Sequence, residues 1–272
     1  MKVAILGYKG MLGDEVKNVF EASGIFDLVL IDKKEVDVEF TSTIEIARAI
    51  KGADWVINCI GLIKPHIHDD NAEECVRAIR INSIFPYLLS NVNTKVIQIA
   101  TDCAFSGEDG NYSESSVHDA HDVYGKTKSL GEIYADNMYH IRCSIIGAPN
   151  PLSLMGWFLG QPEGETVNGF TDQMWNGITT TAFAKMCLGT IKQEQKLPHL
   201  QHFIPANEVS KYELLKLLGK YFRPDLKIVS TVSDMSLNRT LSTNNSKLNE
   251  RLWNLAGYHP IPTISQLLKE LK

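Results

Sequence analysis

Lys2-Val3-Ala4-Ile5-Leu6 runs directly into Gly7-Tyr8-Lys9-Gly10-Met11-Leu12-Gly13, and a helical pattern comes next with Val16, Val19 and Phe20 on one face. A short apolar run ending in glycine is the profile of a buried parallel strand. A second such run, Leu28-Val29-Leu30-Ile31-Asp32, closes a β-α-β unit. Strand, glycine turn and helix in this order restrict the chain to a parallel, helix-flanked sheet. They also predict what the turn does. Glycines permit a tight bend and close approach of a pyrophosphate to the free amides at the helix start. The candidate dinucleotide contacts here are Gly7, Lys9, Gly10, Met11 and Leu12.

Asp32 lies 25 residues after Gly7, near the spacing at which an acidic residue receives the adenosine ribose hydroxyls. An aspartate there favours NAD(H), because it repels a 2′-phosphate. Lys33 and Lys34 come immediately after, and Lys9 sits inside the turn, where a cation suits that phosphate and NADP(H). Both cofactors stay open on these residues.

The rest of the composition narrows the class by exclusion. A chain of 272 residues with a formal charge of −5 has no basic patch to recommend nucleic acid or an anionic membrane surface. No apolar run reaches the length of a transmembrane helix, and residues 2–6 read as core strand instead of a secretion signal, so the expected location is the cytoplasm. The five cysteines, Cys59, Cys75, Cys103, Cys143 and Cys187, are scattered without a Cys-x-x-Cys pair. Reduced thiols are expected, with no disulfide framework or structural zinc.

Further along, Ile44 to Ile50 reads as a short helix, and Trp55-Val56-Ile57-Asn58-Cys59-Ile60-Gly61 as a buried strand ending in glycine. In a doubly wound sheet such an end borders the cofactor, which adds Cys59, Ile60 and Gly61 to the contacts. His66, His68, Asp69 and Asp70 form a polar loop, and no distant residues supply the rest of a metal site. Residues 71–92 form a long helical pattern in which Val76, Ile79, Ile84, Leu88 and Leu89 face inward, with Pro86 as a kink or restart. Lys95-Val96-Ile97-Gln98-Ile99-Ala100 is the next strand, with Thr101-Asp102 at its end.

Tyr124 and Lys128 stand four apart in a helical stretch, so phenol and ammonium share one face. A neighbouring cation favours tyrosinate, so Lys128 is expected to lower the pKa of Tyr124 from about 10 toward a value useful in proton transfer. Tyr-x-x-x-Lys alone is a common helix pair. Thr101 at a strand end 23 residues upstream, behind a nucleotide turn, makes it a catalytic candidate.

Gly7-x-x-Gly10-x-x-Gly13, Ala100-Thr101-Asp102-Cys103-Ala104-Phe105-Ser106-Gly107 and Val123-Tyr124-Gly125-Lys126-Thr127-Lys128-Ser129-Leu130-Gly131-Glu132 together resemble the extended short-chain dehydrogenase/reductase superfamily. Within it they are most similar to the dTDP-4-dehydrorhamnose reductase group. Asn58–Gly61, the helix carrying Asn82, and Tyr139–Gly147 continue the same order. The resemblance is close over residues 1–147 and looser beyond. It implies hydride transfer from NAD(P)H to a keto carbon of a nucleotide-linked deoxysugar. Tyr124 would be the proton donor, Lys128 the partner of the nicotinamide ribose, and Thr101 the hydrogen-bond partner of the carbonyl oxygen. It also implies a cofactor contact at Asn82 and substrate contacts at Asp102, Cys103 and Arg239. Cys103 departs from the pattern, since a tyrosine commonly comes after Thr-Asp in these reductases.

Past Gly147 the alternation weakens. Asn150 to Leu159, Thr179 to Ile191, Lys211 to Phe222 and Ile264 to Leu271 read as amphipathic helices, and Leu226 to Val229 as a strand. Val167 to Gly177, rich in Gly, Asn and aromatics, suits a sugar-nucleotide cleft, with Trp175 and Asn176 as candidate contacts. The expected architecture is a doubly wound parallel Rossmann sheet over residues 1–147, with a return strand near 178–206. A smaller α+β substrate-binding domain makes up most of 148–272. A sugar nucleotide is the expected small-molecule partner, with a second copy of the chain as an open one. An epimerase or dehydratase on the same scaffold, or a dinucleotide-binding regulatory subunit, remains as an alternative.

Overall fold

Val3, Ala4 and Ile5 have no accessible surface because β1 (Lys2–Leu6) lies inside a parallel sheet with a strand on either side. The structure is a computed structural model and describes residues 1–147 and 150–272; residues 148 and 149, the expected start of the substrate-binding part, lie outside the described residues. After β1 come α1 (Met11–Ser23), which buries Leu12, Val16 and Phe20, and β2 (Asp27–Ile31), parallel to β1. Next are α2 (Thr43–Ala49), begun by a Ser42–Glu45 capping box, and β3 (Trp55–Asn58) on the other side of β1. A helical run then passes through α3 (Ala72–Ala78), a π segment (Ile79–Ile84) and α4 (Phe85–Ser90). The strands β4 (Lys95–Ala100) and β5 (Met138–Arg142) flank α5 (Val123–Leu130) in sequence.

The remaining chain is built from shorter pieces. They are β6 (Ile145–Ile146), α6 (Leu154–Leu159), β7 (Thr166–Phe170), β8 (Gln173–Trp175), β9 (Ile178–Thr179), α7 (Thr180–Lys192), β10 (Leu200–His202), β11 (Val209–Ser210), α8 (Lys211–Phe222), β12 (Lys227–Thr231), β13 (Leu237–Asn238), α9 (Ser246–Leu255) and α10 (Ile264–Glu270). The six-stranded sheet has the order β10-β5-β4-β3-β1-β2, every pairing parallel. Connections leave β1 for β2 on one side and resume at β3 on the other. The crevice beyond the carboxyl ends of β1 and β3 is therefore the topological switch point, where ligands of such sheets bind.

Both faces of the sheet are covered. One carries α1 and α7 with Phe183, Phe203, Leu252 and Trp253; the other carries α2 and α4 with Ile46, Phe85 and Leu89. A separate core joins Phe158, Val167, Leu214, Leu218, Ile264 and Leu268, where α8 rests on β7 and β12. This is the expected α/β sheet with a smaller α+β part.

Residues 167–177 are largely strand: β7 alternates buried and exposed residues and pairs with β12, while β8 lies between β11 and β13. Two local expectations need correction. β3 ends at Asn58, and Cys59–Gly61 form the loop beyond it. Val76, Ile79 and Ile84 are exposed at 47%, 41% and 47%. The π segment advances the helix phase, so the buried face carries Ala78, Ile81, Asn82, Ser83 and Phe85. Pro86 falls where α4 begins and needs no kink.

Candidate functional site

The glycine turn is held by close main-chain approaches. Gly7 has φ +77°, and a Cβ there would lie 2.8 Å from Ile60 Cγ1. A Cβ on Gly13 would fall 2.1 Å from the Gly7 carbonyl oxygen, so α1 can start only against a bare glycine. Gly10 at the N-cap brings no capping side chain, and the first amides of α1 have no intrahelical acceptor. Against this turn opens a cleft of about 610 Å³ lined by Gly7, Lys9, Gly10, Asp32, Lys33, Ile60 and Gly61, with Arg77 and Ile81 on the facing helix. Cleft, bare turn and free amides together fit the adenosine and pyrophosphate portions of a dinucleotide.

Besides Tyr124 and Lys128, four dinucleotide candidates do not line that cleft. Leu12 and Cys59 turn their side chains into the core against α1 and α7, leaving main chain as what Leu12 can offer. Met11 is the first residue of α1, at the turn. Asn82 is used internally: its Oδ1 accepts from Leu62 N at 2.8 Å, and its Nδ2 donates to Leu62 O at 3.0 Å and Thr127 Oγ1 at 3.2 Å. It fixes the loop after β3 to α5. Within the cleft, Asp32 is 8% exposed and forms an ion pair with Lys9, while its Oδ1 accepts from Lys34 N at 2.7 Å. These partners hold its carboxyl at about 2. The aspartate and the lysine that argued for different cofactors are thus bonded to one another.

α5 is placed by its own sequence. Asp122 caps it, accepting from Gly125 N at 2.7 Å, and Asp69 accepts from Val123 N at 3.2 Å. Gly125 lets the helix lie against the turn at Asp102–Ala104, and Gly131 lets its far end meet the π segment, where a Cβ would sit 2.0 Å from Asn82 O. These contacts bring Tyr124 and Lys128 to the end of β4. Thr101 is 8% exposed; its hydroxyl accepts from Cys103 N at 3.2 Å and donates to Asp102 Oδ1 at 3.3 Å. Lys128 Nζ donates to Ile99 O at 3.2 Å and would lie 3.7 Å from a Cβ on Gly61. Tyr124 packs against the cluster that holds Leu62 and Ile81, residues shared with the cleft wall. Thr101, Tyr124 and Lys128 therefore converge beside the cleft.

The expected electrostatics of this pair are reversed. Burial pushes the Tyr124 phenol above its ordinary range, with the nearby Thr101 hydroxyl acting the other way. Burial likewise lowers the Lys128 ammonium, with Glu132 opposing. Desolvation outweighs a cation whose donor is already engaged by the Ile99 carbonyl. Tyr124 is held as a neutral acid.

Sequence reasoning missed the charged hub beneath this helix. Arg142 has no accessible surface. Its Nε donates to Glu132 Oε1 at 3.1 Å, and its Nη2 pairs with Oε2 of the same carboxylate. Nη1 lies 2.7 Å from His202 Nε2 and Nη2 2.6 Å from His118 Nε2. A guanidinium only donates, so both imidazoles accept at Nε2 and carry their proton on Nδ1. From there His118 donates to Ser129 Oγ at 2.6 Å and His202 to Ser242 O at 2.6 Å. The hub ties α5 to the segment after β13. The available signals were a glutamate directly after Gly131 and an arginine closing a strand.

On the substrate side the candidates separate. Arg239 Nε donates to Phe105 O at 2.8 Å, and its Nη1 stands 4.0 Å from Cys103 Sγ. Asp102 and Cys103 adjoin Thr101, and burial pushes the Cys103 thiol up to about 12, so it stays protonated. Trp175 and Asn176 do other work. Trp175 Nε1 donates to Ser144 Oγ at 2.8 Å, and Asn176 clamps Leu241 by accepting from its N at 2.9 Å and donating to its O at 2.7 Å. Asn176 thereby holds the strand segment that carries Arg239. No group of three or more potential metal-ligating side chains gathers among the described residues, and no helix among them is long and apolar enough to cross a membrane.

Solved structures share this architecture. A dTDP-4-dehydrorhamnose reductase from Clostridium acetobutylicum superposes with a TM-score of 0.80 at 22% identity, over 100% of this chain and 98% of that one. The dTDP-4-dehydrorhamnose reductase of Bacillus anthracis in complex with NADP gives 0.76 at 20% identity, over 100% and 99%. A UDP-glucuronic acid 4-epimerase from Bacillus cereus in complex with NAD gives 0.71 at 14%, over 99% and 94%. A comparison with curated protein sequences yields no match. The family model described as RmlD substrate binding domain matches residues 1–271, and the chain belongs to that family.

Proposed function

We propose that this chain is an NAD(P)H-dependent reductase of a nucleotide-linked keto-deoxysugar, of the dTDP-4-dehydrorhamnose reductase type, serving synthesis of cell-surface polysaccharide precursors. The observation that carries the reading is the convergence of Thr101, Tyr124 and Lys128 at the end of β4, against a cleft that begins at a bare glycine turn. The bound dinucleotide supplies the hydride. Tyr124, kept neutral by burial, gives its phenolic proton to the oxygen that becomes alkoxide as the carbonyl is reduced. Thr101 holds that oxygen, and Lys128 approaches the cofactor side beneath Gly61. Tyr124 and Thr101 act on charge that appears only during the transfer, which makes their contribution catalytic.

Residues 1–147 with the return strand β10 serve the dinucleotide in this reading, and most of 148–272 serves the sugar nucleotide. A cytoplasmic location accords with a pathway from soluble sugar nucleotides. A homodimer is supported by the exposed apolar residues Val76, Ile79, Ile84 and Tyr87 of one helical run. The deciding experiment is Tyr124→Phe assayed with dTDP-4-dehydro-6-deoxy sugar and both reduced dinucleotides. Turnover should drop by about 10²–10⁴ while dinucleotide binding persists. Native turnover by the variant, or no net oxidation of either dinucleotide by the native chain, overturns the proposal.

A further inference from the structure

The helix of the proposed reaction centre, α5, is 8 residues long, and so short a rod is aimed correctly only when both of its ends are fixed. At its start, the Asp122 cap and the bare Gly125 against the Cys103 carbonyl set how far Tyr124 stands from the strand end. Toward its other end, Ser83 Oγ donates to Thr127 O at 2.8 Å, and Gly131 meets Asn82 O. These contacts hold one side of the last turn. Two residues beyond Thr127, and so about 200° round the helix, Ser129 Oγ accepts from His118 at 2.6 Å. Ser129 is the neighbour of Lys128 in sequence.

His118 is itself fastened to the chain that leaves β4. Asp119 accepts from Ser106 N and Ser106 Oγ, each at 2.7 Å, and Ala120 N donates to Ala104 O at 3.2 Å. Between those anchors Phe105 meets the imidazole edge-on, ring centroids 5.5 Å apart, while the Arg142 guanidinium lies 5.0 Å from the same ring. His118 thus spans from the segment that continues Thr101 to the helix that carries Tyr124 and Lys128. Its bonds have one sense. Nε2 accepts from Arg142 and Nδ1 donates to Ser129, so the ring is neutral. Burial favours that form, against the pull of Glu132.

We propose that His118 is a positioning residue for the reaction: a neutral strut between Arg142 and Ser129 that fixes the tilt of α5, and with it the placement of Tyr124 and Lys128 against Thr101. The strut rests on the reductase reading and deepens it. Without the imidazole, Arg142 keeps its ion pair with Glu132, and α5 keeps its Asp122 cap. The sheet and the first turn of the helix therefore persist while the last turn gains freedom. Misplacing a reacting group by about 1 Å is enough to cost on the order of 10²-fold in rate.

The test compares His118→Leu, which keeps bulk and neither bond, with His118→Gln, whose amide offers one acceptor and one donor to the same two partners. Ser129→Ala cuts the strut from its other end. Each full-length protein is assayed for single-turnover reduction of dTDP-4-dehydro-6-deoxy sugar, for dinucleotide affinity by fluorescence, and for amide hydrogen exchange. The His118→Leu rate should fall by about 10–100-fold with dinucleotide affinity unchanged. Ser129→Ala should fall in the same direction, and His118→Gln should recover most of the loss. The α5 amides should exchange faster in His118→Leu, while those of β1 and α1 keep their native rates. A folded His118→Leu protein that reacts at the native rate overturns the proposal, as does His118→Gln performing no better than His118→Leu. Should His118→Leu not fold, Ser129→Ala decides by the same criterion. If even the native chain gives no turnover, the reductase reading fails and exchange decides the strut: faster exchange in α5 retains it, and native exchange there removes it.

Discussion

Gly125 and the Cys103 carbonyl are in such close register that a Cβ on the glycine would sit 2.2 Å from that oxygen. The contact sets the distance between the helix bearing Tyr124 and the strand end bearing Thr101. Gly125→Ala must push α5 away from the Asp102–Ala104 turn. The expected cost is about 1–3 kcal/mol of stability from overpacking, read by urea unfolding. Turnover should fall by more than that loss explains at a temperature where the variant is fully folded. Native turnover in a folded Gly125→Ala protein would mean that the approach of α5 to Cys103 is not needed for catalysis.

Tyr124 is raised by burial and Lys128 lowered, and this fixes the sign of a pH effect. In the proposed reaction the phenol acts in its protonated form, and a group with a raised pKa keeps that form further into alkaline conditions. Single-turnover reduction should therefore stay level from about pH 6 to about pH 9, with no alkaline limb from Tyr124 below its ordinary value of about 10. A limb centred near pH 7 that vanishes in Tyr124→Phe would show that the bound state depresses this tyrosine.

Lys9 shields the cofactor cleft from the full charge of Asp32. Lys9→Ala should expose that charge to a 2′-phosphate and weaken NADPH relative to NADH by about tenfold. Fluorescence titration of both dinucleotides measures the ratio directly. An unchanged ratio would assign the discrimination to Lys33 and Lys34 instead.

His202 has no accessible surface, and burial beside Arg142 holds its imidazole at about 4. A histidine lowered in the folded state is neutral in both states above the unfolded value of about 6.5, where its contribution to stability is complete. As pH falls through that value the unfolded chain takes up the proton first, and stability declines until the folded value is reached. The loss should be on the order of 3 kcal/mol between about pH 6.5 and pH 4. His202→Gln keeps an acceptor for Arg142 and should flatten its share of this decline in urea titrations. Parallel pH curves for the two proteins would rule the histidine out as the source.

The features legible in the sequence were those whose physics is local. The apolar run Lys2–Leu6, a glycine turn and the Val16–Phe20 face need no partner to be recognised, and β1 and α1 lie where that pattern puts them. The same holds for α8, whose Ser210 cap and apolar period define it. The helix α9 went unread although Asn245 caps it and Leu248, Leu252 and Leu255 share a face, because six of its ten residues are polar and dilute the pattern. Side-chain direction was the harder quantity. Cys59 and Ile60 adjoin in sequence, yet the first turns into the core and the second onto the cleft. Asn176 looked like a sugar ligand by residue type, but its amide clamps a main chain 65 positions away, which no local pattern encodes. Desolvation is equally non-local, and it reversed the expected effect of Lys128 on Tyr124.

The π segment at Ile79–Ile84 holds one residue more than a regular helix would need to cover the same wall. Deleting a residue between Arg80 and Ser83 would restore ordinary pitch and rotate the downstream helix by about 100°. Asn82 or its replacement would swing off the Leu62 main chain, and Thr127 would lose its amide partner. The extra residue acts as an insertion that chooses which way an amide faces. A shortened chain would keep its sheet and its apolar core yet leave the loop beneath the cofactor without an anchor.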